Sequence, residues 1–392
     1  MSAMLLVDLL LLAILVAAFV GGLSRGLLGT LGTLIGLVVG GVAAFWLVPI
    51  VNDALPSSAW RGPLVVVVAL ALPLVGAALG GSVGRVAHRG VDRTPLKGVD
   101  RVLGGVVNVV VAAIAMSFVG SALAATGSPI VAPAVASSNV LQTIDRLTPA
   151  PVSRELAHLR NDVLSQGLPT LDALLPGSTP AVPDVNLADP ALARAAHSVA
   201  RIAGTAYACG VSSTGSGFVV APGRVVTNAH VVAGVDRPLV ELPGERARQG
   251  RVVYFDPAND LAVIAADGLQ ASPLPIAPTL AANSVAVVQG YPYGGPLTSG
   301  GAKVISVSDA PIPDIYGSGT RERQVYALAA EVRPGNSGGP LLTTDGKVVG
   351  IVFARSDQDA NLGFAMTTSE LMPVVAQAEG LTTAVSSGSC AR

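Results

Sequence analysis

The chain has 392 residues, of which 51% are hydrophobic and 12% charged, and its formal net charge is -1. This composition is too apolar for an ordinary soluble protein of this size, and the near-zero net charge argues against a nucleic-acid partner. Charged residues are scarce before residue 85, which indicates membrane spans rather than one large core.

Four apolar stretches in the first half, at about 4–22, 27–50, 63–84 and 102–125, are each long enough to cross the hydrocarbon core as a helix. The first has no basic segment before it and is followed at once by the second, so we expect an anchor rather than a cleaved signal peptide. Glycines recur at every fourth position of the second and third stretches, which favours close helix packing. These glycines are Gly32, Gly36 and Gly40, and Gly76, Gly80 and Gly84. The sequence therefore predicts an α-helical, four-span membrane domain.

Basic residues between these stretches predict the orientation. Arg25 lies between the first and second stretches, and a basic cluster from Arg85 to Arg101 lies between the third and fourth. Because cytoplasmic loops carry an excess of Lys and Arg, both loops are expected inside, and an even number of spans then places both termini outside. We therefore predict a multi-pass protein of the plasma (inner) membrane whose C-terminal half faces the periplasmic or cell-wall space.

Residues 127–190 are rich in Pro, Ala and Ser and read as an exposed linker between two domains. Such a linker is a natural site for proteolytic nicking. Two of the four histidines, His158 and His197, lie in short helical pieces in and just after this region, and we interpret both as surface or packing residues.

After residue 206 the chain consists of short apolar runs separated by glycine and proline, a pattern typical of a β-sandwich or closed barrel. One turn stands out, the Gly-x-Ser-Gly-Gly-Pro stretch from Gly335 to Pro340. A serine between glycines suits a tight turn that exposes the Ser337 hydroxyl and directs backbone N–H groups toward one point. Acyl transfer needs both features, a nucleophile and donors for the oxyanion.

A serine hydroxyl needs a base to become a nucleophile, and the base needs an acid that orients it. His230 is the one histidine in a segment that reads as folded β-structure. The acid is best placed at Asp260, at a polar-to-apolar transition where a strand begins. Asp256 and Asp267 are the rival acids, but neither has this strand-start context.

Three motifs carry a resemblance to a known family: Thr227-Asn228-Ala229-His230, Asn259-Asp260-Leu261-Ala262 and Gly335-Asn336-Ser337-Gly338-Gly339-Pro340. Together and in this order they resemble the trypsin/HtrA-like serine proteases over residues from about 201 to 372. The first half resembles the Colicin V production (CvpA) type of membrane domain. The whole chain is similar to the actinobacterial membrane-anchored serine proteases of the acid-resistance (MarP) type.

The resemblance implies an all-β, chymotrypsin-like double β-barrel, with two six-stranded antiparallel barrels and the site in the cleft between them. His230 and Asp260 would come from the first barrel and Ser337 from the second. His230 would be the general base, Asp260 would hold its tautomer, and the N–H groups of Gly335 and Ser337 would form the oxyanion hole. The resemblance also implies a part in envelope maintenance under acid or oxidative stress.

Substrate preference is less well specified by the sequence. Glu331 lies six residues before Ser337, where trypsin-like enzymes place their pocket acid, so a basic P1 residue is one reading. Arg333 would oppose it.

The two cysteines, Cys209 and Cys390, lie at opposite ends of the protease-like region. In the cytosol they would usually be two free thiols, whereas in an oxidising compartment they would close nearly the whole region into one loop. The predicted topology favours the disulfide.

These observations predict a membrane-anchored serine endopeptidase with a membrane domain at 1–126, a linker at 127–190 and a protease domain at 191–392. It would cleave periplasmic or envelope proteins and its own linker, with membrane lipid as a further partner. No metal site or cofactor motif is visible, because the histidines and cysteines lack ligand spacing. The alternatives are a membrane scaffold or transporter subunit whose barrel domain binds peptides without catalysis, and a protease released by cleavage of the linker.

Overall fold

The computed structural model describes residues 3–54, 61–91, 95–125, 131–149, 151–153, 155, 157, 169, 181–209 and 211–391. It divides into two compact units, Leu5–Ser117 and Phe118–Arg392, the second together with Met1–Met4. Within the predicted linker, residues 127–130, 150, 154, 156, 158–168 and 170–180 lie outside the described residues, His158 among them. The predicted domain limits at 126 and 190 stay a prediction.

The first unit contains three apolar helices: α1 (Ala3–Ala54), α2 (Arg61–Val91) and α3 (Lys97–Ala125). Within α1, Gly26 departs from helical geometry with φ 67° and ψ 175°. This break lies between the first two predicted spans, so one glycine interrupts the helix where a loop was expected. Two stretches, Leu5–Ala44 and Lys97–Ser117, are long and apolar enough to cross a membrane, and Ala71–Val86 is a shorter apolar helix. The four separate spans therefore stay a prediction.

The glycine stripes of the predicted second and third spans face each other. A Cβ added at Gly36 would overlap the carbonyl oxygen of Gly76, and one added at Gly32 would overlap that of Gly80. The two helices thus approach through backbone alone, as the stripe predicts. Asn108 of α3 donates its Nδ2–H to the carbonyl oxygen of Ala18 in α1 at 2.6 Å, so this polar group of an apolar helix has a hydrogen-bond partner.

Short helices with described bounds precede the sheets, namely α4 (Val131–Ala136), α5 (Asn139–Leu147) and α6 (Pro190–Ala196). Ser138 and Asp189 cap α5 and α6 by accepting backbone N–H groups of the first turn. The sequence Asp189-Pro190 predicts a capped helix over 191–203; the helix is present but ends at Ala196, because the chain enters a strand at Val199.

The first sheet has seven antiparallel strands in the order β5-β4-β1-β2-β3-β7-β6. Its strands are β1 (Val199–Ala206), β2 (Val211–Ala221), β3 (Arg224–Thr227), β4 (Leu239–Glu241), β5 (Arg248–Gln249), β6 (Arg251–Asp256) and β7 (Leu261–Ala265), with helix α7 (Ala229–Val232) after β3. The expectation of a six-stranded barrel here was not met, because the short strand β5 extends the sheet beyond β4.

The second sheet is a closed six-stranded barrel in the order β10-β13-β12-β11-β8-β9. Its strands are β8 (Val285–Gly290), β9 (Thr298–Pro313), β10 (Thr320–Ala329), β11 (Pro340–Leu342), β12 (Val348–Arg355) and β13 (Leu362–Thr367), and helix α8 (Thr368–Ala378) follows. Tyr326, Leu328 and Phe364 are among its fully buried side chains. Closure removes the free edges of this sheet, and the rigid wall that results carries the loop with Ser337.

Candidate active site

The histidine of the site is positioned by the pairing of β3 with β7. Thr227 lies opposite Ala262 in this ladder, so the residues just after β3 meet the residues just before β7. The short helix α7 begins there and carries His230, whose side chain is 13% exposed.

Asp260 makes three contacts with His230. Its Oδ1 accepts the backbone N–H of His230 at 2.9 Å, and both carboxylate oxygens lie against Nδ1, at 2.8 and 3.0 Å. The Asp260 backbone is left-handed, with φ 55°, an uncommon conformation for a residue with a side chain. Asn228 supports this conformation by donating its Nδ2–H to the Asp260 carbonyl oxygen at 2.9 Å. With Nδ1 held by a carboxylate, the neutral imidazole presents Nε2 as the proton acceptor.

The two rival acids lie elsewhere. Asp256 closes a turn by accepting the N–H groups of Ala258 and Asn259, at 3.0 and 3.1 Å. Asp267 pairs with Arg251 at 2.8 Å on the surface and is 73% exposed. Of the three candidates, the structure brings Asp260 to His230.

Ser337 lies in a turn whose geometry depends on two glycines with positive φ, Gly335 (93°) and Gly338 (81°). A Cβ on Gly335 would overlap the carbonyl oxygen of Tyr291, and a Cβ on Gly338 would overlap that of Ser216. Only glycine fits at these positions, because the turn is pressed against neighbouring backbone as well as left-handed.

Ser216 of β2 joins the first sheet to this turn, a role that sequence reasoning missed. Its Oγ donates to the Gly335 carbonyl oxygen at 2.7 Å and accepts the Tyr291 N–H at 2.9 Å. Its backbone N–H donates to the Ser337 carbonyl oxygen at 2.7 Å. Ser216 is fully buried. Its position between Gly215 and Gly217 was the one available signal, and it reads equally well as an ordinary strand.

The turn with Ser337 also packs against the segment that leads to His230. A Cβ on Gly338 would overlap Thr227 Oγ1 and lie 3.2 Å from Asn228 N, two residues before His230. The Ser337 hydroxyl is buried and makes no hydrogen bond with any described residue. The turn with Ser337 therefore lies next to the segment that carries His230.

The amides of the turn fall into two sets. Asn336 and Gly338 donate to the carbonyl oxygens of Arg333 and Val352, at 3.0 and 2.8 Å. Across the part of the chain that the structure covers, the N–H groups of Gly335 and Ser337 have no backbone acceptor. These two donors remain available for an anion, which is the requirement for an oxyanion hole.

Glu331 does not form the floor of a buried pocket. It is about half exposed and its carboxylate pairs with the guanidinium of Arg333, also exposed. A screened, already paired carboxylate attracts a basic side chain weakly. The position six residues before Ser337 therefore does not by itself favour a basic P1 residue.

Tyr291, whose backbone contacts both Ser216 and the turn, is itself buried. Its hydroxyl donates to the Val199 carbonyl oxygen at 3.1 Å, and burial raises the pKa of its phenol because the anion would lose its hydration.

Within the described residues, no group of three or more His, Cys, Asp or Glu side chains is placed to hold a metal ion. His197 lies exposed at the C-terminus of α6, which agrees with its interpretation as a surface residue.

Two family profiles match separate parts of the chain. The profile described as Trypsin-like peptidase domain matches residues 215–351, and the profile described as Colicin V production protein matches residues 7–149. The first includes the segments of His230, Asp260 and Ser337.

Serine proteases from bacteria are similar to the chain over two different extents. The serine protease Rv3671c of Mycobacterium tuberculosis H37Rv is 34% identical, with 97% of this chain and 98% of that protein covered. A probable periplasmic serine endoprotease of DegP-like type from Halomonas elongata is 35% identical over 42% of this chain and 35% of its own length. Among solved structures, the active form of the Rv3671c protease superposes with a TM-score of 0.51 at 36% identity, covering 56% of this chain and all of that one.

Proposed function

This chain belongs to the family of the M. tuberculosis serine protease Rv3671c, and on that premise we propose that Ser337, His230 and Asp260 are the catalytic triad of a membrane-anchored endopeptidase. The observation that carries the proposal is the double contact of the Asp260 carboxylate with the backbone N–H and Nδ1 of His230. A carboxylate in this position holds one imidazole tautomer and stabilises the imidazolium that forms when the base accepts a proton.

Each group has one task in the reaction. Ser337 Oγ attacks the carbonyl carbon of the scissile peptide while His230 Nε2 accepts its proton. The N–H groups of Gly335 and Ser337 bind the oxyanion of the tetrahedral intermediate. His230 then donates the proton to the leaving amine, and a water molecule hydrolyses the acyl-enzyme through the same base.

The buried, unbonded hydroxyl of Ser337 defines the first step that substrate must promote. A rotation about the Ser337 Cα–Cβ bond has to bring Oγ to Nε2, since catalytic hydrogen bonds often tighten only in the substrate complex. Ser216 keeps the rest of the turn in place during this rotation, because it is bonded to Gly335 on one side and to Tyr291 on the other.

A fluorophosphonate probe on the full-length chain in detergent micelles tests the triad. We expect labelling of the wild type and loss of labelling in Ser337→Ala and His230→Ala. The matched control is Ser318→Ala, because Ser318 also lies between two glycines but on an exposed turn, where its hydroxyl bonds Asp314 at 2.7 Å. Equal labelling of wild type and Ser337→Ala would contradict the assignment of the nucleophile. An unlabelled wild type would instead favour the scaffold that binds peptides without catalysis.

The protease unit is proposed to lie on the periplasmic side of the plasma membrane, anchored by several spans. The basic residues between the apolar stretches support this orientation through the positive-inside rule, and the apolar helices of the first unit support membrane association. Alkaline phosphatase, which is active only outside the cytoplasm, is to be fused after residue 391, and a green fluorescent protein fusion is the reciprocal reporter. Fluorescence without phosphatase activity would contradict this orientation and place the protease unit in the cytoplasm.

We also propose that envelope proteins and the chain's own linker are substrates. The backbone N–H of Arg355, at the end of β12, donates to the carbonyl oxygen of Pro169 in the linker at 3.1 Å. The pairing of β11 with β12 ends at Ile351, so the N–H of Arg355 can bond another segment, as it would a peptide substrate added beside the strand. Mass spectrometry of the purified chain should find termini between residues 127 and 200 in the wild type and not in Ser337→Ala. Intact wild type under conditions that cleave a model peptide would remove the linker from the substrates.

The disulfide proposal is supported from one side. The described part of the chain contains no free cysteine, and Cys390 is oxidised, with its Sγ near Gly234. The side chain of Cys209, the other cysteine of the sequence, lies outside the described residues. Non-reducing peptide mapping should recover the two cysteines in one linked fragment, and alkylation of both without prior reduction would exclude the bond.

We also propose a role under acid or oxidative stress, which rests only on the resemblance of the whole sequence to the membrane-anchored acid-resistance proteases. Acid protonates the base and so slows the chemical step. If the activity that remains in acid is enough for this role, a strain with Ser337→Ala in place of the wild-type chain should survive acid less well than the wild-type strain. Equal survival of both strains would remove this role while leaving the protease assignment intact.

A further inference from the structure

Arg323 is a charged side chain in the core, and it has no part in the catalytic steps described above. It lies on β10 of the closed barrel and is 1% exposed. In the described part of the chain its guanidinium forms no ion pair with a carboxylate, and its Nε has no hydrogen-bond partner. Burying a cation without an ion pair is costly, so a hydrophobic residue would be expected if packing were its only role.

The two ends of the guanidinium contact two different sheets. Nη2 donates to the carbonyl oxygen of Pro313 at the end of β9, at 2.6 Å. Nη1 donates to the carbonyl oxygen of Asn259 at 3.3 Å, in the segment just before β7 of the first sheet. The face of the group lies over the ring of Phe353, 5.7 Å from its centroid. The side chain thus links the wall that carries Ser337 to the peptide group that precedes Asp260.

We propose that Arg323 is a positioning residue for the catalytic acid: it holds the Asn259–Asp260 peptide in its left-handed turn and supplies a buried positive charge next to Asp260. This inference rests on the proposed triad. The φ of 55° at Asp260 is the strained conformation that such an anchor would maintain. Arg323 acts through Asp260 and touches neither the substrate nor the reacting atoms.

Charged groups from several elements act on Arg323. Burial lowers its pKa, and the carboxylates that oppose this shift are, in order, Asp260, Glu370, Asp256 and Asp314. Asp260 and Asp256 flank the anchored segment, Asp314 follows β9, and Glu370 lies in α8, where it accepts the Gln324 N–H at 3.0 Å. The hydrogen bond from Nη1 to the Asn259 carbonyl oxygen places the guanidinium beside the Asn259–Asp260 peptide, which is the contact that the proposal requires.

The test measures kcat and KM against pH for the full-length chain in detergent, with Arg323→Met and Arg323→Lys. We expect Arg323→Met to lower kcat about tenfold or more and to change KM less than about twofold, because the residue lies away from the substrate. The acid limb of the profile should move to higher pH, since a buried positive charge disfavours the addition of a proton to the site that it adjoins. Arg323→Lys should restore the limb but not all of kcat, because one ammonium cannot span both carbonyl oxygens.

Arg224→Met is the matched control. Arg224 is another buried arginine whose guanidinium bonds carbonyl oxygens, those of Leu381 and Gly223, and it pairs with Ala265 at the opposite end of β7 from Asp260. It should lower the melting temperature without moving the acid limb. In an Asp260→Asn background, Arg323→Met should lower kcat less than about twofold, because the group through which it acts has already been altered.

Three outcomes would overturn the proposal: a folded Arg323→Met with wild-type kcat and acid limb, the same changes in Arg224→Met, or an undiminished effect of Arg323→Met in the Asp260→Asn background. If Arg323→Met does not fold, Arg323→Lys decides, and a wild-type kcat in that variant overturns the proposal. Wild type beside Ser337→Ala separates these results from a failure of the triad assignment, because an inactive wild type refutes the triad and not the position of Arg323.

Discussion

Gly338→Ala is a substitution for which the structure predicts a large loss of both stability and activity. Gly338 has φ 81°, and an added Cβ would overlap the Ser216 carbonyl oxygen and Thr227 Oγ1. The left-handed conformation costs a residue with a Cβ about 1–2 kcal/mol. Overlap with a packed backbone adds about 1–3 kcal/mol. We therefore expect the free energy of unfolding to fall by about 2–5 kcal/mol, which lowers the melting temperature by roughly 4–20 °C for a domain of this size.

Two other glycines separate the conformational cost from the overlap. Gly244 also has a positive φ, 79°, but a Cβ there would meet nothing within 4 Å. Gly300 has neither feature. Gly244→Ala should therefore lower the free energy of unfolding only by the cost of the left-handed conformation, about 1–2 kcal/mol. Gly300→Ala should change stability by less than about 1 kcal/mol.

Calorimetry of the full-length chain in detergent, beside kcat on a peptide substrate, compares the three variants. In Gly338→Ala the turn must move away from Ser216, which displaces Ser337 and the oxyanion donors, so we expect kcat to fall at least about a hundredfold. The two controls should keep kcat within about twofold of wild type. A Gly338→Ala protein no less stable than Gly244→Ala and with wild-type kcat would refute the close approach of the turn to β2.

Three further predictions follow from the same region. Ser216→Ala removes the hydroxyl that bonds Gly335 and Tyr291, so kcat should fall about tenfold to a hundredfold with little change in KM in steady-state assays. Glu331→Gln should leave the P1 preference in a peptide-library digest unchanged, because this exposed carboxylate is already paired with Arg333; a loss of cleavage after basic residues would contradict this. Burial raises the pKa of the Tyr291 phenol above its value in the unfolded chain. The stability that the neutral phenol contributes is therefore fully present below the pKa of the unfolded chain, and it is lost as the pH rises through the pKa of the folded protein. The melting temperature should accordingly fall less between about pH 8 and pH 11 in Tyr291→Phe than in wild type.

The sequence-based prediction of the protein class was based on motifs and hydropathy. The prediction of a trypsin-like serine protease joined to a Colicin V production domain is confirmed by the two family profiles and by the relative that covers nearly the whole chain. The catalytic turn could be found because its function requires a particular backbone conformation, which demands glycines at fixed places around Ser337. Membrane association could be predicted because a helix in hydrocarbon must be apolar along its whole length.

The architecture of the sheets was predicted in part. The second barrel closes with six strands as expected, whereas the first sheet has seven and includes the two-residue strand β5, too short to give a periodic signal. The break in α1 at Gly26 was expected as a loop, because hydropathy reports apolar length and not the dihedral angles of one residue.

By itself the sequence determined which chemistry the chain can perform, because the serine turn, the histidine segment and the strand-start acid are each recognisable from a few neighbouring residues. Only the tertiary structure decided which groups support that chemistry. The strand-start context had already favoured Asp260 over Asp256 and Asp267, but its contact with His230 depends on the register in which β3 pairs with β7. Ser216 and Arg323 contact the site from positions 119 and 64 residues away from their partners Gly335 and Asn259 along the chain. Contacts over such distances leave no local pattern, because they exist only once the two sheets have packed against each other.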